Sequence, residues 1–111
     1  MANFTKSLAD GPVPTSLTPP VYAPPALTKA LIRQMVVCNP TAAVIQLTVE
    51  IVTKSAGTPP ARTIINTRNV AVNETYLCPE ILNAVIDVGG SIEMLASSAG
   101  LQFVISGVEM T

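Results

Sequence analysis

The stretch Ala43-Val-Ile-Gln-Leu-Thr-Val-Glu-Ile-Val-Thr53 decides how the chain is read. Ile45, Leu47, Val49 and Ile51 alternate with Gln46, Thr48 and Glu50. That is a period of two, which a β-strand produces when one face is buried and the other is wet. The apolar residues are largely β-branched, which suits a pleated surface better than a helix. The rest of the chain can be assigned outward from this strand.

Upstream, Thr28 to Asn39 (TKALIRQMVVCN) carries apolar residues on both parities, with Ala30, Ile32, Val36 and Cys38 on one and Leu31, Met35 and Val37 on the other. A strand covered on both faces reads this way. A helix over 28–37 is the alternative; Val-Val-Cys followed by Asn39-Pro40 favours a strand in the second half. The short link Asn39-Pro-Thr-Ala42 predicts an antiparallel hairpin between the two strands.

Downstream, Lys54–Ala61 reads as a loop by its Gly and Pro content. Arg62–Val72 (RTIINTRNVAV) reads as a broken or edge strand. Pro79 suits the first position of a short helix, with Ile81, Leu82, Val85 and Ile86 on one face. Asp87-Val-Gly-Gly90 ends it. Two more strands follow, SIEMLASS from Ser91 and LQFVISGVEM from Leu101, joined at Ala99-Gly100. In the last, Leu101, Phe103 and Ile105 alternate with Gln102 and Ser106, and Gly107 marks a bulge or the close approach of another backbone. Five or six short strands, one helical turn and regular turn signals predict an all-β, jelly-roll-like antiparallel sandwich or barrel over residues 28–111.

Residues 1–27 have neither period. Six of the ten prolines lie between Pro12 and Pro25. Proline fixes its own φ, biases its predecessor toward extended backbone and cannot donate to the middle of a sheet. The segment therefore reads as a stiff, extended N-terminal arm. Pro19, Pro20, Val21, Tyr22, Pro24 and Pro25 are its candidate partner contacts. Tyr22 is either an anchor in a partner's pocket or a residue folded back on its own sheet. The PxxP-like spacing suits an SH3-type groove only weakly, because no basic residue flanks the prolines closely.

The 111 residues make one domain, large enough to bury a core without a metal or disulfide framework. Only 12% of residues are charged and 49% are hydrophobic. Soluble domains average about 25% charged residues, so this surface is expected to be partly covered by partners. The alternative is a compact monomer with a Thr/Ser/Asn-rich surface. A net charge of −1 with six scattered basic residues gives no footprint for nucleic acid.

No histidine is present, which removes imidazole metal sites and the usual base for Ser or Cys nucleophiles. Cys38 and Cys78 sit in apolar company and read as buried thiols; a disulfide between them is the alternative. A pair among the seven carboxylates could in principle do acid–base work, but Glu50 and Glu93 sit at outward positions of amphipathic strands and read as solvated surface charges; there is no phosphate loop or calcium loop. No cofactor, metal or enzymatic activity is expected. The N-terminus lacks an apolar signal core and no run of about 18 apolar residues occurs, so a cytoplasm-like compartment and no membrane span are expected.

Over residues 22–110, VYAPPALTKALIRQMVVCNP, TAAVIQLTVEIV and NETYLCPEILNAVIDVGGSIEMLASSAGLQFVISGVEM resemble the small β-sandwich structural proteins of tailed-bacteriophage virions. The shared features are the Asn-x-Thr-Ala-Ala turn, the strand ending in Ala-Ser and the terminal Val-Ile-Ser-Gly-Val-Glu. Length and proline arm make the chain similar to the head decoration (cement or staple) proteins of epsilon-fifteen-type short-tailed phages. That resemblance implies a jelly-roll homodimer on the outer surface of the head, assembled in the host cytoplasm, tying neighbouring major capsid subunits together. The arm then acts as a pre-extended strap, and deleting residues 1–25 is expected to leave a folded sandwich that no longer binds shells. A neck or tail adaptor ring and a free-standing carbohydrate- or peptide-binding sandwich are the rival roles.

Overall fold

The computed structural model describes residues 6–16, 20–52 and 61–110, and it is nearly all β. The strands are β1 (Lys6–Pro12), β2 (Lys29–Cys38), β3 (Ile45–Val52), β4 (Ala61–Val70), β5 (Thr75–Tyr76), β6 (Val85–Ile86), β7 (Ser91–Ala96) and β8 (Gln102–Met110). One sheet runs β1-β8-β2, with β5 and β6 sharing the far edge of β2; the second runs β4-β3-β7. Every pairing is antiparallel. The two sheets face each other across a core containing Ile32, Met35, Val37, Leu47, Val49, Ile92, Met94 and Ile105. The fold is the β-sandwich that the alternation predicts.

β3 keeps its expected register, with Ile45, Leu47, Val49 and Ile51 buried and Gln46 exposed. Thr48 departs from it and is buried. The β3–β4 register shifts between Leu47 and Val49, and the displaced β4 backbone covers Thr48, whose Oγ1 accepts a hydrogen bond from the Thr67 N–H at 3.2 Å. β4 is the edge strand that its irregular pattern suggests.

The expected hairpin between β2 and β3 does not form, because the two strands lie in different sheets. Asn39 turns the link from one sheet to the other. Its fully buried Nδ2 donates to the carbonyls of Ala43 (2.8 Å) and Val70 (2.9 Å), and its Oδ1 accepts from Thr41 N–H (3.0 Å) and Oγ1 (2.6 Å). A buried amide with every function paired is stable where a bare turn would leave carbonyls orphaned.

The helix expected from Pro79 is a single 3-10 turn over Pro79–Ile81. Asn83 then enters the left-handed region at φ 64°. The chain pairs with the edge of β2 instead, through Asn83 N–H to Ile32 O and Ile32 N–H to Ala84 O, both 2.8 Å. Those tertiary bonds outweigh a short apolar helical face, since helices this short are marginal alone.

Gly107 is the close approach its position suggests. It lies opposite a bulge between Ile32 and Gln34, and a Cβ there would run into the Leu31 carbonyl oxygen.

The N-terminal leader differs from the free arm expected. Residues 6–11 hold no proline, and they pair with β8 as the outermost strand of the larger sheet. Beyond Pro12 the chain crosses to the other sheet. Val13 N–H bonds to Leu101 O, Ala96 N–H to Pro14 O and Val21 N–H to Ile92 O, each at 2.9 Å, and Ile92 N–H bonds to Tyr22 O at 2.8 Å. Val13 and Tyr22 are buried in the common core. The prolines exclude a full strand but leave carbonyls that accept bonds from β7, so the leader covers an edge that would otherwise expose unpaired N–H groups. No hydrogen-bonding boundary separates residues 1–27 from 28–111 among the described residues.

Candidate interaction surface

The residues expected to meet a partner are only partly placed to do so. Tyr22 folds back on its own sheet. Its hydroxyl donates to Glu109 Oε2 at 2.6 Å, and Lys6 Nζ pairs with Glu109 Oε1 at 2.6 Å. Lys6 and then Tyr22 hold the Glu109 carboxyl below the usual range, while burial, reinforced by Glu109, pushes the Tyr22 hydroxyl well above its own. Pro20 and Pro25 are exposed; Val21 and Pro24 are half-buried; Pro19 lies outside the described residues.

A second cluster sits at the far end of the sandwich. The Tyr76 hydroxyl bonds to both carboxylate oxygens of Glu80, and the Arg68 guanidinium lies 3.9 Å from the Tyr76 ring centroid. Burial first, then Glu80, pushes Tyr76 up to about 12. Burial also pushes the neighbouring Cys78 thiol up to about 12, so it is inert as a nucleophile at neutral pH. Cys78 is buried, Cys38 is half-buried, and both are free thiols, so the disulfide alternative is not formed. No group of three or more His, Cys, Asp or Glu residues among those described could hold a metal ion. Every described aromatic side chain (Tyr22, Tyr76 and Phe103) is buried, so none offers a platform for stacking a sugar. No described helix is long and apolar enough to cross a membrane.

What the molecule does present is the outer face of its larger sheet. Antiparallel register places side chains there in rows. Pro12, Gln102 and Cys38 form one, Asp10, Val104 and Val36 the next, and Ser7, Ser106 and Gln34 a polar row. Val108, Leu31 and Val85 form another apolar row. Val104 is 45% and Val85 51% exposed. A shallow groove of about 530 Å³ lies over the first two rows, lined by Asp10, Pro12, Val36, Cys38, Gln102 and Val104. The charged residues in these strands that reach this side are Asp10 at one end and Lys29 and Arg33 toward the other. β2 carries the composition of a strand covered on both faces. Its inner residues Ala30, Ile32, Met35 and Val37 are covered, while Leu31, Val36 and Cys38 on the outer side remain half-exposed.

Sequence reasoning missed this face because apolar outward residues of β2 and β8 read as a buried strand. The signal was present in the two-sided pattern of residues 28–38, which the isolated fold satisfies on one side only.

No family model and no curated protein matches the chain. Among solved structures, it is similar to the infectious bursal disease virus VP2 subviral particle, with a TM-score of 0.51 and 15% identity over 97% of this chain and 31% of that one. It also aligns with a structure of the Gx strain of the same virus, at a TM-score of 0.49 and 15% identity over 97% of this chain and 32% of that one. The chain thus spans about a third of the length of the chains it matches. At this identity the likeness shows the β-sandwich fold alone, and it does not bear on the tailed-phage assignment.

Proposed function

We propose that the chain is a non-enzymatic structural protein of a virus particle. It docks on the outside of the head as a decoration protein and ties neighbouring major capsid subunits together, working in pairs. The observation that carries this reading is the outer face of the β1-β8-β2 sheet, whose apolar rows are left uncovered on a strand built for two-sided burial. Low overall charge suits a contact that is permanent once made. The fold shared with a chain of a subviral particle supports it.

The strap mechanism is replaced. With Tyr22 turned inward, the outer sheet face supplies the docking area, and Pro20 and Pro25 remain exposed. A protein binding only the assembled shell stabilises that state by its own binding free energy, and many copies on one lattice add avidity.

Cosedimentation with assembled shells tests the reading. Val104→Asp and Val36→Asp place a charge at the centre of the face without touching the core, and each is expected to weaken shell binding at least tenfold. Full binding by both variants would overturn the assignment of this face.

A further inference from the structure

The leader is fastened to the body by contacts that a second copy could supply equally well. Its fastenings are the β1–β8 ladder, the main-chain bonds of residues 13–22 to Leu101, Ala96 and Ile92, and the Tyr22–Glu109–Lys6 cluster. The sole covalent link from these to β2 is residues 23–28. That link is a tight turn, closed by Thr28 N–H to Pro25 O at 3.0 Å and Thr28 Oγ1 to Ala26 O at 3.2 Å.

Leu27 in this turn adopts φ 60°, a left-handed conformation that is unfavourable for a bulky L-residue. It is 81% exposed, so little packing offsets the strain. Pro24 and Pro25, just before it, favour extended backbone. Opening the turn relieves Leu27 and lets β1 leave together with the bonded residues Val13, Val21 and Tyr22. A short hinge loop under strain is the condition that favours exchange of identical elements between copies.

We propose that two copies of this chain exchange residues 6–22 about a hinge at Leu27. Each β1 pairs with the partner's β8, and each Tyr22 hydroxyl bonds to the partner's Glu109. The exchange recreates every leader contact of the closed form and gains two relaxed hinges. A second copy is the fitting occupant because only this segment carries the β1 register, the pattern of carbonyls facing β7 and the tyrosine that reaches Glu109. The exchange rests on the pairing of copies proposed above and is independent of shell binding.

The test compares the dimer dissociation constants of the wild type, Leu27→Gly and Leu27→Pro by sedimentation equilibrium. Glycine removes the left-handed penalty from the closed turn, roughly tenfold per hinge, so the dimer should weaken about a hundredfold. Proline cannot reach positive φ and should tighten the dimer by at least as much. In a Cys38→Ser background, a mixture of Ser7→Cys and Ser106→Cys chains, unfolded and refolded together, should be joined by a short bismaleimide, because these positions face each other in the β1–β8 register. Dissociation constants that do not respond to residue 27 overturn the exchange. A dimer persisting under that result keeps the pairing and assigns it to another surface. If the proline chain does not fold, the glycine comparison alone decides.

Discussion

Removing the side chain of Asn39 should cost this small domain a large share of its stability. In Asn39→Ala, the buried Val70 carbonyl loses its side-chain donor. The Ala43 carbonyl keeps a partner, since the Thr41 hydroxyl, 3.0 Å from it, is freed from Asn39 Oδ1 and can donate to it. Val70 keeps its ladder partner Ile45, so what is lost is the bonds of the Asn39 amide itself, to the Val70 and Ala43 carbonyls and from Thr41, each worth about 0.5–1.5 kcal/mol. The expected loss is about 2–4 kcal/mol, against a total of about 5–15 kcal/mol for a typical domain. An unfolding entropy of about 2.1 cal/mol/K per residue over 111 residues gives about 0.23 kcal/mol/K, so Tm should fall by about 9–17 °C. Asn39→Asp should be worse at pH 7. Its carboxylate can still accept from Thr41 but cannot donate, and it faces two carbonyl oxygens. Those carbonyls and burial would raise its folded pKa above the unfolded value of about 3.9, so stability is recovered as pH falls toward that value. Urea unfolding of both variants at pH 7 and pH 4 measures this. An alanine variant within about 0.5 kcal/mol of wild type, or an aspartate variant equal to it at pH 7, would refute the bridging role of Asn39.

Three further outcomes are expected. The chain has two tyrosines, both buried and hydrogen-bonded to carboxylates, so tyrosinate absorbance should show no phase near the ordinary pKa of about 10 and should appear only with unfolding. Tyr22, Tyr76 and Cys78 all have raised folded pKa values, so stability should hold below about pH 8.5 and fall above it; an ordinary tyrosinate phase in the folded protein would contradict the placement of the rings. A thiol reagent should label one cysteine promptly, the half-buried Cys38, and Cys78 only on unfolding; two prompt thiols would show that Cys78 is not in the core. Deleting residues 1–25 removes β1 and the buried Val13 and Tyr22, a loss of about 5 kcal/mol or more, so circular dichroism should show a largely unfolded chain. A truncated chain that stays folded with unchanged Tm would restore the separate arm.

The parts of the fold legible in the sequence are those set by local side-chain period. Ile45–Ile51 and Leu101–Ile105 alternate because each strand has one face in the core, and Gly107 stands out because no side chain fits beside the Leu31 carbonyl. The parts that were not legible depend on long-range bonds. The link after Cys38 looks like a hairpin turn, but Asn39 reaches Val70, 31 positions away, and carries the chain into the other sheet. Proline count marked the leader as extended but hid β1, because its proline-free residues 6–11 have no apolar alternation. Tyr22 and Glu109 are 87 positions apart, and no local pattern links them. The candidate surface was half-legible: the two-sided apolar pattern of β2 signalled burial, and only the fold shows that one side is left uncovered.

The most direct measurement is the quantitative mass-spectrometric copy number of this chain in purified virus particles. A protein that decorates the head through its outer sheet face should be present at hundreds of copies per particle. A dozen copies or fewer would move it to a neck or tail ring, and its absence from particles would contradict a structural role in the virion altogether.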